Sequence, residues 1–148
     1  AWLRPDSDYE AGFLAFVERV LDASDENQFM KHFLPFQKWI ASYGIYNSLS
    51  QTLLKYTSPG VPDTYQGTEL WDLSMVDPDN RRPVNYERRI EYLKEIKTQA
   101  QIDIHQLLDR LLSHKEDGRI KLFLTHKVLQ ARKQNLAVFQ QGDYQALD

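Results

Sequence analysis

The sequence predicts a mainly α-helical chain of about five or six helices with one short strand. Three observations carry that prediction. Apolar residues recur at spacings of three and four along both ends of the chain, the period of a single helix face. The middle loses this period, and its clustered prolines and glycines read as turn and loop. The 148 residues are 42% hydrophobic and 12% aromatic, enough for a packed core and too much for a disordered chain.

The first helix is expected to start at Ser7, which with Glu10 three residues on fits a capping box. Tyr9, Phe13, Phe16, Val17, Val20 and Leu21 form its apolar face. The polar run Asp22 to Asn27 is the linker. A second helix carries Phe29, Phe33, Phe36, Trp39, Ile40 and Tyr43 on one stripe, read as core packing. Pro35 should kink or restart it, because proline has no backbone donor, and Gly44 is a plausible stop. Residues 45–56 return to the helical period with Ile45, Leu49, Leu53 and Leu54 facing inward.

Ser58-Pro59-Gly60 is a turn, and Val61 to Tyr65 is the one strand candidate. From Thr68 to Val84 no period survives. Irregular loops beyond about 15 residues are uncommon in compact domains and are usually functional or disordered. Trp71, Leu73, Met75 and Val76 argue for an ordered one. Asn85 can then cap a long helix, or two joined ones, through Tyr86, Ile90, Leu93, Ile96, Ala100, Leu107, Leu108, Leu111 and Leu112. Asp117-Gly118 is a turn. Ile120, Phe123, Leu124 and Val128 mark another helix, with a shorter apolar group at Leu136, Val138 and Phe139.

Composition excludes several functions. Eighteen basic against 21 acidic residues give a net charge of -3, which argues against a general nucleic-acid footprint. No apolar run approaches the roughly 18 residues of a membrane span. The absence of cysteine removes disulfides, thiolate zinc sites and cysteine nucleophiles, and is compatible with the cytoplasm. His32, His105, His114 and His126 lack the spacing that converges two rings on one helix face, so no metal site is expected. There is no glycine-rich phosphate loop, and Ser58, followed by proline, is not a nucleophile elbow. No cofactor is expected.

The irregular middle gathers Asp63, Glu69, Asp72, Asp77 and Asp79 beside Arg81 and Arg82. Sugar chemistry needs carboxylates of this kind, and ionised aspartates accept hydrogen bonds from adjacent hydroxyls. Arginine donates in a fixed fork to hydroxyls or carboxylates. Tyr65 and Trp71 offer flat faces to a pyranose ring. The same Asp77-Pro78-Asp79-Asn80 string also fits a tight turn with side chains bonded to the local backbone, and both arginines could pair with Glu87 or nearby aspartates. The charged run Glu87 to Glu95 reads most simply as a solvated helix face.

Ser58-Pro59-Gly60-Val61-Pro62-Asp63-Thr64-Tyr65-Gln66-Gly67-Thr68-Glu69-Leu70 resembles the segment around the eighth barrel strand of the alpha-amylase superfamily of glycoside hydrolases. The longer string through Trp71-Asp72-Leu73 and Val76-Asp77-Pro78-Asp79-Asn80-Arg81-Arg82-Pro83-Val84 is similar to a branch of it that rearranges glucans. Ala1-Trp2-Leu3, Tyr9-Glu10, Asn47-Ser48-Leu49 and Asp117-Gly118-Arg119-Ile120-Lys121-Leu122 agree with that branch.

The resemblance implies an intramolecular transglycosylation, in which the reducing-end α-1,4 linkage of a maltooligosaccharide becomes an α,α-1,1 linkage. It further implies that residues 1–142 come from the last part of a catalytic (β/α)8 barrel and that 143–148 begin a following domain. The chain, which starts without methionine, is then a C-terminal fragment whose partners are the missing barrel residues and a maltooligosaccharide. The superfamily's nucleophile, acid/base and stabilising carboxylates would lie upstream of Ala1, so no catalytic residue is expected here and the fragment alone would be inactive.

On a β/α barrel, the loop after a strand lies on the active face. Tyr65, Gln66, Glu69, Asp77, Asp79, Asn80, Arg81 and Arg82 are therefore the candidate substrate-binding residues. Excised from its barrel, Val61 to Tyr65 would have no partner for its edge amides. Alternatives are another superfamily member, a glucan hydrolase or an α-1,6-glucosidase, and a stand-alone helical binding or scaffold domain.

Overall fold

The computed structural model describes residues 4–77 and 79–147. Ala1-Trp2-Leu3 and Pro78, which helped carry the resemblance, lie outside the described residues, as does Asp148. Six α-helices and two short 3-10 turns account for the regular structure, with no strand among the described residues. The residues divide into two compact units, one ending at Gly44 and one starting at Ile45.

In the first unit, α1 runs over Ser7–Val20. Its cap is Asp6, not Ser7: the Asp6 carboxylate accepts the Tyr9 amide at 3.1 Å, so the cap lies one residue upstream and the expected Ser7–Glu10 capping box does not form. Asn27 joins α1 to the next helix. Its amide donates to the carbonyls of Val20 (2.9 Å) and Asp22 (2.7 Å), while its oxygen accepts the Met30 amide at 3.2 Å. One side chain thus satisfies orphan groups at two helix ends.

The second helix, α2, spans Gln28–Thr57 and belongs to both units. The expected restart at Pro35 and stop at Gly44 do not occur. Pro35 forfeits one backbone bond, but unbroken helical turns on either side carry the helix through. Gly44 lacks the positive φ of a terminating glycine. The aromatic stripe forms a ladder along this helix: Phe29 stacks on Phe33 at 5.3 Å and Trp39 meets Tyr43 edge-on at 5.5 Å. It does not pack into a core as expected, for Phe29 is 52% and Trp39 57% exposed.

The second unit holds the end of α2, the irregular segment 58–85, then α3 (Tyr86–Ile102), α4 (Ile104–Ser113), α5 (Arg119–Gln134) and α6 (Leu136–Gln141). Asn85 caps α3 as expected, accepting the Arg88 amide at 2.9 Å. Asp103 ends α3 and caps α4, so the long helix resolves into two joined ones. Ile96, Leu107, Leu111, Ile120 and Leu122 form the core where α3, α4 and α5 meet, and Leu70 of the irregular segment is inserted among them. Ile90, on the expected apolar face of α3, is exposed, and so is Leu54 on α2, where the buried positions are Thr52 and Tyr56.

Residues 61–65 form no strand. Val61 is 98% exposed, and no neighbouring strand exists among the described residues to pair with it. Gly142 ends α6, and residues 143–147 carry no regular structure.

Candidate functional site

The irregular segment is pinned at its entrance by α5. Arg132 donates to the carbonyls of Tyr56 (2.9 Å), Ser58 (3.1 Å) and Gly60, satisfying one free carbonyl in the last turn of α2 and two in the turn that follows it. The buried Tyr56 hydroxyl meets Thr64 Oγ1 at 2.8 Å. Thr68 then bonds back to the Tyr65 carbonyl at 2.7 Å, and Gly67 turns the chain with a φ of 91° that favours glycine.

Next comes the anchor in the core. Leu70 is buried, and the Trp71 indole donates to the Lys115 carbonyl at 2.8 Å. Lys121 reaches from α5 to the Leu70 carbonyl at 3.3 Å, with its ammonium 5.6 Å from the Trp71 ring centre. Burial, and then the charge of Lys55, pulls the Lys121 pKa below its ordinary value. These bonds explain why a stretch with no period is nonetheless ordered.

Beyond Trp71, polar side chains converge. Ser74 donates to Asp72 Oδ1 at 2.5 Å and accepts from Arg82 at 2.9 Å, making a chain from carboxylate to guanidinium. The Ser74 hydroxyl, then the Ser74 amide, hold the Asp72 carboxyl below its usual range, with Arg82 and Lys121 adding to the effect. A 3-10 turn, Asp79–Arg81, brings the chain back. These elements enclose a cleft of about 290 Å³ lined by Gln66, Asp72, Asp79, Asn80 and Arg82, with Trp71 and Arg89 among its other walls. A second depression of about 320 Å³ holds Tyr65, Met75 and Asp77 and shares Asp72 and Asn80 with the first.

The expected residues separate accordingly. Gln66, Asp79, Asn80 and Arg82 line the first cleft, and Tyr65, Asp77 and Asn80 line the second. Glu69 instead pairs with Arg89 at 2.9 Å, and Arg81 with Asp77, four residues earlier. Asn80 Oδ1 is buried without a hydrogen-bond partner, the only such side-chain atom among the described residues. Its carbonyl is an unsatisfied acceptor set behind the cleft wall.

Ser74 and Arg89 were not among the expected site residues. Asp72-Leu73-Ser74 carries a readable signal, since aspartate commonly bonds the backbone two residues on. Arg89 was hidden in the run read as a solvated face. That reading fails there; Glu95 of the same run, 37% exposed, meets Arg110 at 2.6 Å and Arg119 at 3.2 Å and so links α3, α4 and α5. No group of three metal-binding side chains occurs among the described residues. Nor is any described helix long and apolar enough to cross a membrane.

The arrangement offers two carboxylates, two guanidiniums, side-chain amides and an indole around one open cleft. Such a set hydrogen-bonds adjacent hydroxyls and packs against a sugar ring. No family model matches the chain. It is 40% identical over 99 residues to proteins of two Mycobacterium tuberculosis strains that carry the name maltooligosyl trehalose synthase, a match covering 65% of this chain and 12% of theirs. A crystal structure of a maltooligosyl trehalose synthase matches 100% of the chain at 36% identity with a TM-score of 0.81. A glycosyltrehalose synthase structure matches 99% at 33% identity with a TM-score of 0.72. The chain spans 19% and 18% of those two structures. Throughout its length it is therefore similar to one segment of trehalose-forming enzymes.

Proposed function

We propose that this chain is part of an intramolecular transglycosylase that converts the reducing-end α-1,4 linkage of maltooligosaccharides to an α,α-1,1 linkage. The observation that carries the reading is the match to a maltooligosyl trehalose synthase structure over 100% of the chain at a TM-score of 0.81. The chemistry is an isomerisation: one glycosidic bond breaks, one forms, and no water is consumed. The nucleophile and acid/base belong to the rest of the enzyme, which comprises the preceding strands of a (β/α)8 barrel, so this piece by itself is inactive.

The contribution of this chain is to the pocket that holds the excised glucose. After the α-1,4 bond breaks, glucose must turn and present its anomeric hydroxyl while water is kept away. Asp72 and Asp79 supply acceptors for its hydroxyls, Arg82 and Gln66 supply donors, and Trp71 supplies an apolar wall. Holding both reactants in one pocket makes the second step effectively unimolecular, which favours it over attack by water. The test is to incubate the full-length protein with maltohexaose and follow the product by proton NMR. An anomeric signal of an α,α-1,1 linkage, growing as the reducing-end signals shrink, is expected. Growth of reducing-end signals would overturn the reading in favour of a hydrolase.

A further inference from the structure

Arg89 ties together both ends of the cleft-forming loop. From the first turns of α3, its Nε donates to Glu69 Oε2 at 2.9 Å and its Nη2 to the Gly67 carbonyl at 2.7 Å. Its Nη1 donates to the carbonyl of Asn85, which caps α3, at 3.0 Å. Gly67 and Glu69 begin the loop, and Asn85 ends it. A single planar fork therefore sets the distance between the loop's two ends. Only a guanidinium has donors in three fixed directions to do this.

The arrangement is protected and close to the cleft. The Arg89 and Glu69 side chains are 16% and 26% exposed, unlike the open Arg81 and Asp77 pair at 67% and 55%. A screened surface pair contributes little, whereas a partly buried pair that also satisfies backbone carbonyls fixes geometry. Gly67 packs tightly here: a Cβ on it would meet Val84 Cγ2 at 3.3 Å and lie 3.7 Å from Arg89 Nη2. Gln66, beside Gly67, and Asp72, three residues after Glu69, are the side chains this clamp places in the cleft.

We infer that Arg89 is a positioning residue that, through Gly67, Glu69 and Asn85, holds the cleft side chains Gln66 and Asp72 in place around the excised glucose, and so divides that glucose between rearrangement and escape. This rests on the transglycosylase reading. The experiment is to compare wild-type full-length protein with Arg89→Lys, Glu69→Ala and Glu69→Gln on maltohexaose, measuring rearranged product, free glucose, kcat, KM and Tm. Lysine keeps the charge but cannot span three acceptors, so Arg89→Lys raises the ratio of free glucose to rearranged product roughly tenfold. Glu69→Ala raises it less, because both carbonyl bonds remain. Glu69→Gln, which keeps an acceptor for Nε, stays near wild type.

A wild-type ratio in both Arg89→Lys and Glu69→Ala, even with Tm lowered, would overturn the role and leave the clamp purely structural. If Arg89→Lys does not fold, the contrast between Glu69→Ala and Glu69→Gln decides alone. Wild-type protein that yields only free glucose and shortened glucan would overturn the transglycosylase reading and this role together. Rearrangement with an unchanged ratio in the variants would overturn the role alone.

Discussion

Gly118 backs directly onto Trp71: a Cβ on this glycine would lie 3.1 Å from the Trp71 backbone nitrogen and 3.2 Å from Leu70 Cβ. Its φ of 83° is in the left-handed region as well. The turn before α5 is thus shaped to let the cleft-forming segment approach. Gly118→Ala is expected to destabilise the protein by about 2 kcal/mol, from the backbone penalty and the close contact together. Chemical denaturation of wild type and variant checks this, and a loss well under about 0.5 kcal/mol would mean the segment does not pack there.

Gly44 presents the opposite case. It lies inside α2 with nothing within 4 Å of where a Cβ would be, and without a positive φ. Gly44→Ala should stabilise that helix by roughly 0.5–1 kcal/mol, since glycine in a helix interior costs about that much relative to alanine. A raised denaturation midpoint is the expected result. A lowered one would mean that the helix bends at Gly44.

Asp72 should show an acid-side signature. Its carboxyl, bonded by the Ser74 hydroxyl and amide, titrates below its ordinary value of 3.8. A folded-state value lower than the unfolded one contributes stability at pH above 3.8, lost as the pH falls through the folded value. The Asp72 side chain keeps 23% exposure, so solvent still screens its bonds, and site-resolved NMR titration is the suitable measurement. Ser74→Ala, which removes the largest cause, should return the Asp72 titration toward 3.8. An unmoved midpoint would show that the hydroxyl is not its partner.

Arg81 and Arg82 should separate under mutation although they are neighbours. Arg82 lines the cleft and donates to Ser74 at 2.9 Å, while Arg81 is spent on Asp77 and lines neither depression. In the full-length enzyme Arg82→Ala should raise free glucose relative to rearranged product, and Arg81→Ala should leave the ratio near wild type. Equal effects would show that the two arginines act through the turn as a unit.

The helices were legible because their signals are local. The linker at Asp22 to Asn27, the cap at Asn85 and the turn at Gly118 each follow from short-range chemistry. The continuity of α2 was not legible. Pro35 and Gly44 are both breakers by propensity, and the unbroken turns on either side outweighed them. Burial was less readable still, because period alone does not show which side of a helix is covered. Ile90 and Phe29 stand exposed, whereas Leu70, in a segment without any period, sits in the core.

The site was legible as a region but not residue by residue. Carboxylates, arginines and aromatics clustered between 63 and 82 marked the cleft. Which of them are free to bind depends on partners distant in sequence. Glu69 is occupied by Arg89, 20 residues on, and Trp71 by the carbonyl of Lys115, 44 residues on. Such pairings are set by how α3 and α5 pack, and no spacing rule within the loop reports them.

The most direct test of the account is to incubate the full-length protein with maltohexaose and measure reducing ends and free glucose together. Reducing ends are expected to fall while little glucose appears, since each turnover converts a reducing terminus into an α,α-1,1 linkage. Rising reducing ends would contradict it, and would make the cleft at Asp72, Asn80 and Arg82 part of a hydrolase.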